Sequence, residues 1–212
     1  MKSYKNFIEE MARNIGDSSY SPIKSNKDVR MQYYKQSILY KHHSYPIAGN
    51  KEIEIKHGLD HDGNEVYHTN DNTKKETIHR SVIKTHAPTK KLKFEHQEQK
   101  EADRTPDDIL PKEYVTNLIY DHFKKSEHPL RSSDSQYLHG HKMWRKLAHK
   151  ALDDKHHVYY FDGKMLHKSN NDNINSHLDS SFGKSDIIRG VPPKINYEHR
   201  HIILSKKLLG DE

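Results

Sequence analysis

Apolar residues recur at three- and four-residue steps from the first turn of the chain. Tyr4, Phe7, Ile8, Met11 and Ile15 share one side of residues 3–15, and Lys5, Glu9, Glu10 and Arg13 take the other. That spacing predicts an amphipathic helix. A stripe of this kind has to be buried against something, so residues 1–15 read as a targeting or docking helix. Residues 16–50 read as a linker and a Tyr-rich segment: a polar stretch to Lys27, rich in Ser and Asn and carrying Pro22, then Val29, Met31, Tyr33, Tyr34, Ile38, Leu39 and Tyr40. These last positions keep neither a period of two nor one of 3.6 cleanly, and they lean towards helix.

From residue 51 the pattern alternates. Ile53 and Ile55 fall on one face, His61-Asp62-Gly63-Asn64 supplies a turn, and Val66 and Tyr67 follow it; Asp-Gly between extended runs predicts a hairpin. Ile78 and Val82, then Leu92 and Phe94, extend the reading to an antiparallel meander over residues 51–103 with one weakly apolar face. The polar run Gln97 to Pro111 reads as the boundary of a second unit, residues 104–212. Helices are predicted there over 112–125 (Val115, Leu118, Ile119, His122, Phe123) and 135–153 (Leu138, Trp144, Leu147, Ala148, Ala151, Leu152). A hairpin follows from His156 to Phe161 and back through Met165 to His167, then a short helix from Asn170 to Phe182 and a strand from His199 to Ser205. The fold class is α+β, with the meander in the N-terminal half and a compact helix and hairpin domain in the C-terminal half.

Composition narrows the picture. The chain has 212 residues, a hydrophobic fraction of 32%, and 36 basic against 30 acidic residues for a net charge of +6. So low an apolar content borders on disorder, but the net charge is small and 13 tyrosines add buriable surface, which indicates a folded, lightly cored chain with long polar loops. No run of about 18 apolar residues occurs, which excludes a transmembrane helix, and residues 1–15 lack the apolar core of a secretory signal. With no cysteine, disulfides, thiolate zinc sites and thiol nucleophiles are excluded together.

Nineteen histidines are the loudest chemical feature. His199 and His201, two apart on a strand, point to one face and form a candidate metal pair that Asp186 or Glu198 could complete. No HExxH pattern fixes such a site and histidine is spread along the chain, so no metal and no cofactor is assigned. Lys142, Arg145, Lys146 and Lys150, with His149, gather around Trp144 and are candidates for nucleic-acid binding; the competing reading buries Trp144 in the helix's apolar stripe and leaves the cations as its solvated back. Ser132, Ser133 and Asp134 near His139 and His141 read as helix capping. Asp153, Asp154, His156 and His157 read as a helix end. Neither Gly-x-Gly-x-x-Gly nor a Walker A sequence occurs, and no catalytic set emerges.

Met1-Lys2-Ser3-Tyr4-Lys5-Asn6-Phe7-Ile8-Glu9-Glu10 resembles the capsid-targeting leader, Met-Lys-Thr-Tyr-x-x-Phe-Ile-x-Glu, of internal head proteins and other virion components of T-even-type tailed phages. The resemblance implies that Tyr4, Phe7, Ile8 and Met11 dock on a scaffold. It also implies that a prohead protease cuts after Glu10, with Ile8 in the apolar position; Met11 departs from the small residue the family carries there. The function expected on this basis is that of a non-enzymatic virion-associated protein of the head or neck, or one injected with DNA. Its partners would be capsid, scaffold or neck proteins and, through non-specific contacts, DNA, with no membrane, and its location the virion or the host cytoplasm. Two alternatives stand beside it: a host-directed phage effector or nucleic-acid-binding protein, and a histidine-dependent hydrolase or nuclease using the His199 and His201 face.

Overall fold

The computed structural model describes residues 26–42, 52–105, 110–133, 138–182 and 200–210. The leader helix, with Tyr4, Phe7, Ile8, Glu10 and Met11, lies outside the described residues, as do His199, Asp186, Glu198 and Asp134. The Tyr-rich segment forms helix α1, Lys27–Ser37. Its start is fixed by Asn26, whose side-chain oxygen accepts from the backbone N–H groups of Asp28 at 2.9 Å and Val29 at 3.4 Å, so two of the four unpaired donors of the first turn are satisfied.

A short strand β1, Lys41–His42, precedes the meander of β2, Ile53–Leu59, β3, Glu65–Asp71, and β4, Glu76–His86. The β2–β3 turn is the predicted one. The Asp60 carboxylate accepts from the backbone N–H groups of Asp62 and Asn64 at 3.0 and 2.9 Å, and Gly63 takes φ of 78°, a left-handed conformation that costs glycine little. The next strand differs from the sequence expectation. Leu92 and Phe94 lie in the loop before it, and β5 is His96–Arg104, so the polar run read as a boundary is a central strand. Gln97 and Gln99 are buried, and their side chains take hydrogen bonds, from His122 and Ser126 on Gln97 and from Trp144 on Gln99. Polar residues with internal partners carry no periodic apolar signature.

The C-terminal half follows its apolar pattern closely: α2, Tyr114–Lys125; β6, Leu130–Arg131; α3, Leu138–Asp153; β7, His157–Phe161; β8, Leu166–Ser169; α4, Ile174–Phe182; and β9, His201–Ser205. The nine strands among the described residues form one mixed, mostly antiparallel sheet in the order β1-β2-β3-β4-β5-β6-β9-β7-β8. The class is α+β. The joint between the halves is the parallel pair β5–β6, where Gln97 faces Leu130 and Glu98 faces Arg131. β9 then inserts between β6 and β7, antiparallel to both.

The two sheet faces are covered differently. On one, α2, α3 and α4 bury a single core in which Ile55, Tyr67 and Ile83 of the meander join Leu118, Phe123, Leu130, Trp144, Leu147, Leu178 and Ile202. The core therefore crosses the position where the sequence placed its boundary. On the other face α1 and the turn after it cover the meander end: Tyr33 and Tyr40 set their rings edge-on to buried His68, and Arg30 bonds the Glu76 carboxylate at 2.9 Å. At the far end of that face Leu92, Tyr159, Phe161 and Ile203 make a small second cluster.

Two consequences are measurable. Trp144 is 1% exposed, and Trp144→Ala is expected to lower the unfolding free energy by about 3–5 kcal/mol in urea titrations. His68 and His79 are held neutral, chiefly because burial disfavours their charged forms, and both titrate only near about 3. The unfolded chain takes up those protons near 6.5 and the folded chain does not, so this stability is complete above pH 6.5. It is lost as pH falls from there towards about 3, at up to roughly 1.4 kcal/mol per pH unit for each histidine. Chemical denaturation at pH 7 and pH 5 checks this, and substituting both by Gln is expected to flatten the difference.

Candidate functional site

Cross-strand register places one row of side chains over the middle of the sheet, on the face that α2–α4 leave open. Lys84 pairs with Glu98, Glu98 with Arg131, Arg131 with Ile203, and Ile203 with Tyr159. The next row sets His86 opposite His96, and His201 opposite Phe161. Register partners share a face, so charged groups from four strands meet where the α1 layer ends and before the Leu92 cluster begins.

Glu98 sits at the centre with a side chain that has no solvent exposure, yet it is ringed by cations. Its Oε2 accepts from Arg131 Nη2 at 2.6 Å and lies 2.7 Å from His86 Nε2; its Oε1 lies 3.0 Å from Lys100 Nζ. Arg131 in turn donates from Nη1 to His201 Nε2 at 2.7 Å, and the His201 ring lies parallel to Phe161, 2° apart in plane. His96 hydrogen-bonds the Phe94 carbonyl through Nδ1 at 3.1 Å. A carbonyl only accepts, so Nδ1 carries the proton in the neutral ring and Nε2 keeps its lone pair. His86 stacks on His96 with centroids 5.2 Å apart and planes 10° apart.

These groups wall an open cavity of about 160 Å³ lined by His86, His96, Arg131, His201, Phe161 and, from the strap between β4 and β5, Thr89, Lys91 and Leu92. The strap is held at both ends of its turn. Thr89 N–H donates to the Leu92 carbonyl at 2.7 Å, and Leu92 N–H returns a bond to Thr89 Oγ1 at 3.0 Å. Leu92 is thereby pinned against Tyr159, Phe161 and Ile203. Burial lowers the pKa of both His86 and His96; Glu98 opposes that shift for His86, the Phe94 carbonyl opposes it for His96, and Arg131 adds to it for both. With the imidazoles neutral, Arg131, Lys91 and Lys100 outweigh the single Glu98 carboxylate, so the cavity favours an anion. Two imidazoles beside it can accept and return protons.

The residues singled out by sequence have separate fates. His201 belongs to the cavity wall, although its assigned partner His199 lies outside the described residues. Among the described residues no group of three His, Asp or Glu side chains is placed to hold a metal ion. The basic helix does not form a patch around an exposed indole. Trp144 is in the core and donates to Gln99 at 3.3 Å; Arg145 bonds Asp179 at 2.7 Å and Asn175 at 2.6 Å; Lys146 pairs with Glu113; and Lys150 reaches Asn117 at 3.2 Å and covers the Tyr120 ring. Lys142 is exposed on the same helix.

Ser132 extends the β6–β9 pairing, donating its N–H to the Ile202 carbonyl and accepting from Ile202 N–H at its Oγ. Asp154, at the end of α3, accepts from the Tyr120 hydroxyl at 2.7 Å, and His156 sets its ring edge-on to Phe123. His141 is buried on α3. No helix among the described residues is long and apolar enough to cross a membrane.

Sequence reading passed over Glu98, Arg131, His86 and His96. One local signal is present: His96-Gln97-Glu98 puts a histidine and a carboxylate on the same side of any strand, but from Gln97 on the run reads as the boundary between two units. Comparison of the chain with protein families, with curated proteins and with solved structures returns no match in any of the three.

Proposed function

We propose that this protein binds nucleic acid, seating a phosphate of the strand in the cavity between β4, β5, β6 and β9. The observation that carries the reading is the guanidinium of Arg131, oriented from below by a fully buried carboxylate and placed beside His86, His96, His201 and Lys91 around an open cavity. A buried ion pair is a poor stabiliser compared with apolar packing of the same volume, so its place at a cavity mouth favours a binding role. The segment 84–100, which supplies His86, Thr89, Lys91, Leu92 and His96 to the cavity wall, carries Lys84, Lys90, Lys91, Lys93 and Lys100 against Glu95 and Glu98, a local excess of positive charge that suits a polyanion.

A second reading concerns where the protein acts. The leader-like residues Met1 to Glu10 favour a virion-associated protein of a tailed phage, docked through Tyr4, Phe7, Ile8 and Met11 on head, scaffold or neck proteins and delivered with DNA into the host cytoplasm. The two readings are compatible: a protein packaged with a genome and released into a cell meets nucleic acid in both places.

Fluorescence anisotropy with labelled 12-nucleotide strands tests the first. Affinity is expected to fall as salt rises, and Lys91→Glu, which alters an exposed strap residue, is expected to weaken binding and reduce the salt slope by about one. Binding that ignores both salt and Lys91→Glu would remove the cavity from consideration. Mass spectrometry of purified particles tests the second: the protein is expected there, with its first peptide starting at Met11, whereas its absence from particles overturns the virion reading.

A further inference from the structure

The cavity holds more than cations. His86 and His96 are stacked imidazoles 5.2 Å apart, each lining the cavity and each with a different second partner. Two such rings so close do not both carry a proton readily, because each positive charge disfavours the other. A singly protonated pair has a preferred arrangement. Burial lowers the pKa of both rings, but the buried Glu98 carboxylate 2.7 Å from His86 works against that lowering there, so His86 is the ring favoured for a shared proton; His96 uses Nδ1–H on the Phe94 carbonyl and keeps the lone pair on Nε2. The geometry is thus that of one acid and one base side by side, next to a guanidinium, and pairs of titratable groups set apart by their surroundings serve as acid and base in catalysis.

We infer that the cavity cleaves RNA by internal transesterification, with His96 as base, His86 as acid and Arg131 with Lys91 neutralising the phosphate. The inference rests on the nucleic-acid reading above and goes further by naming the strand and the reaction. His96 Nε2 takes the proton of the ribose 2′-hydroxyl; the freed oxygen attacks phosphorus and forms the O2′–P bond while the P–O5′ bond breaks. His86, as the imidazolium, gives its Nδ1 proton to the departing 5′-oxygen and keeps the proton on Nε2, which lies 2.7 Å from Glu98. The products are a 2′,3′-cyclic phosphate and a 5′-hydroxyl. Charge balances, because His96 gains the proton that His86 loses, and exchange with solvent resets the pair. The nucleophile belongs to the substrate, so a base, an acid and a cation complete the set the reaction needs. DNA lacks that hydroxyl and is bound without being cut.

Glu98, having no solvent exposure, does not meet the substrate; it is a positioning residue that holds Arg131 and opposes the burial that disfavours the charged form of His86. The groups facing the two histidines are Glu98 and Lys100 from β5, Lys84 from β4, Arg131 from β6, His201 from β9 and Lys91 from the strap. The rate is therefore expected to be bell-shaped in pH, falling on the acid side when both rings are charged and on the alkaline side when neither is.

The test incubates the full chain with a labelled RNA 12-mer, the DNA of the same sequence, and an RNA with one 2′-deoxy residue, and identifies product ends by mass spectrometry. Cleavage of RNA with cyclic-phosphate ends and an intact 2′-deoxy linkage is the expected result. His96→Gln and His86→Gln, each checked for an unchanged melting temperature, are expected to lose about 100-fold or more in rate. Glu98→Gln is expected to move the alkaline limb of the pH profile down, which a purely structural role would not do. RNA that is bound and stays intact overturns the cleavage and leaves the binding reading standing; RNA that is neither bound nor cut overturns both. Cleavage that persists in both histidine variants, or that treats DNA and RNA alike, overturns the assigned chemistry.

Discussion

The two-residue parallel joint between β5 and β6 is the contact on which the rest of the structure depends. Gln97 and Glu98 are neighbours in sequence and point to opposite faces, and each is tied to both halves of the chain. On the helix face the Gln97 amide donates to Glu65 of β3 at 2.8 Å and accepts from His122 and Ser126 at 2.8 Å each. On the open face Glu98 takes Arg131 and, through it, His201. An apolar pair at this joint could bury area, but it could not fix which strand lies beside which. Directional bonds to named partners do, at a desolvation cost that has to be recovered elsewhere.

That recovery lies in the helix-side core, where Trp144, Phe123, Leu118, Leu147, Leu130 and Leu178 are almost wholly buried. The division of labour explains how a chain with only 32% hydrophobic residues holds a nine-stranded sheet. One face is packed with apolar side chains; the other is closed at its two ends by α1 and by the Leu92 cluster. Its middle is left to polar and charged groups that hydrogen-bond one another. The many histidines belong to this economy: His68, His79 and His122 are small aromatic fillers with two polar ends, each paired within the fold.

What the sequence disclosed follows the same division. The helices α2, α3 and α4 were legible because their buried faces are apolar at helical spacing, and the turns at Gly63 and Gly163 because Asp-Gly marks them. β5 was not, because its inward residues are Gln97 and Gln99, whose burial is licensed by partners far away in sequence. The cavity failed to announce itself for the same reason: His86, Glu98, Arg131 and His201 have no common spacing and meet only through strand order. On the basic helix nothing local reveals that Arg145 and Lys146 are matched by Asp179 and Glu113.

The position of β9 carries a kinetic consequence. It does not add to an edge; it lies between β6 and β7, and its pairing with β6 joins residues 70 apart in sequence, as in the Ser132–Ile202 and Arg131–His201 bonds. Until that strand is in place the sheet consists of two fragments, a meander ending at β6 and a separate β7–β8 hairpin. Closing so long a loop is entropically costly before any contact rewards it. The step that unites the sheet is therefore also the step that brings His201 to Arg131, so the cavity wall belongs to the joined sheet and is not a property of either fragment.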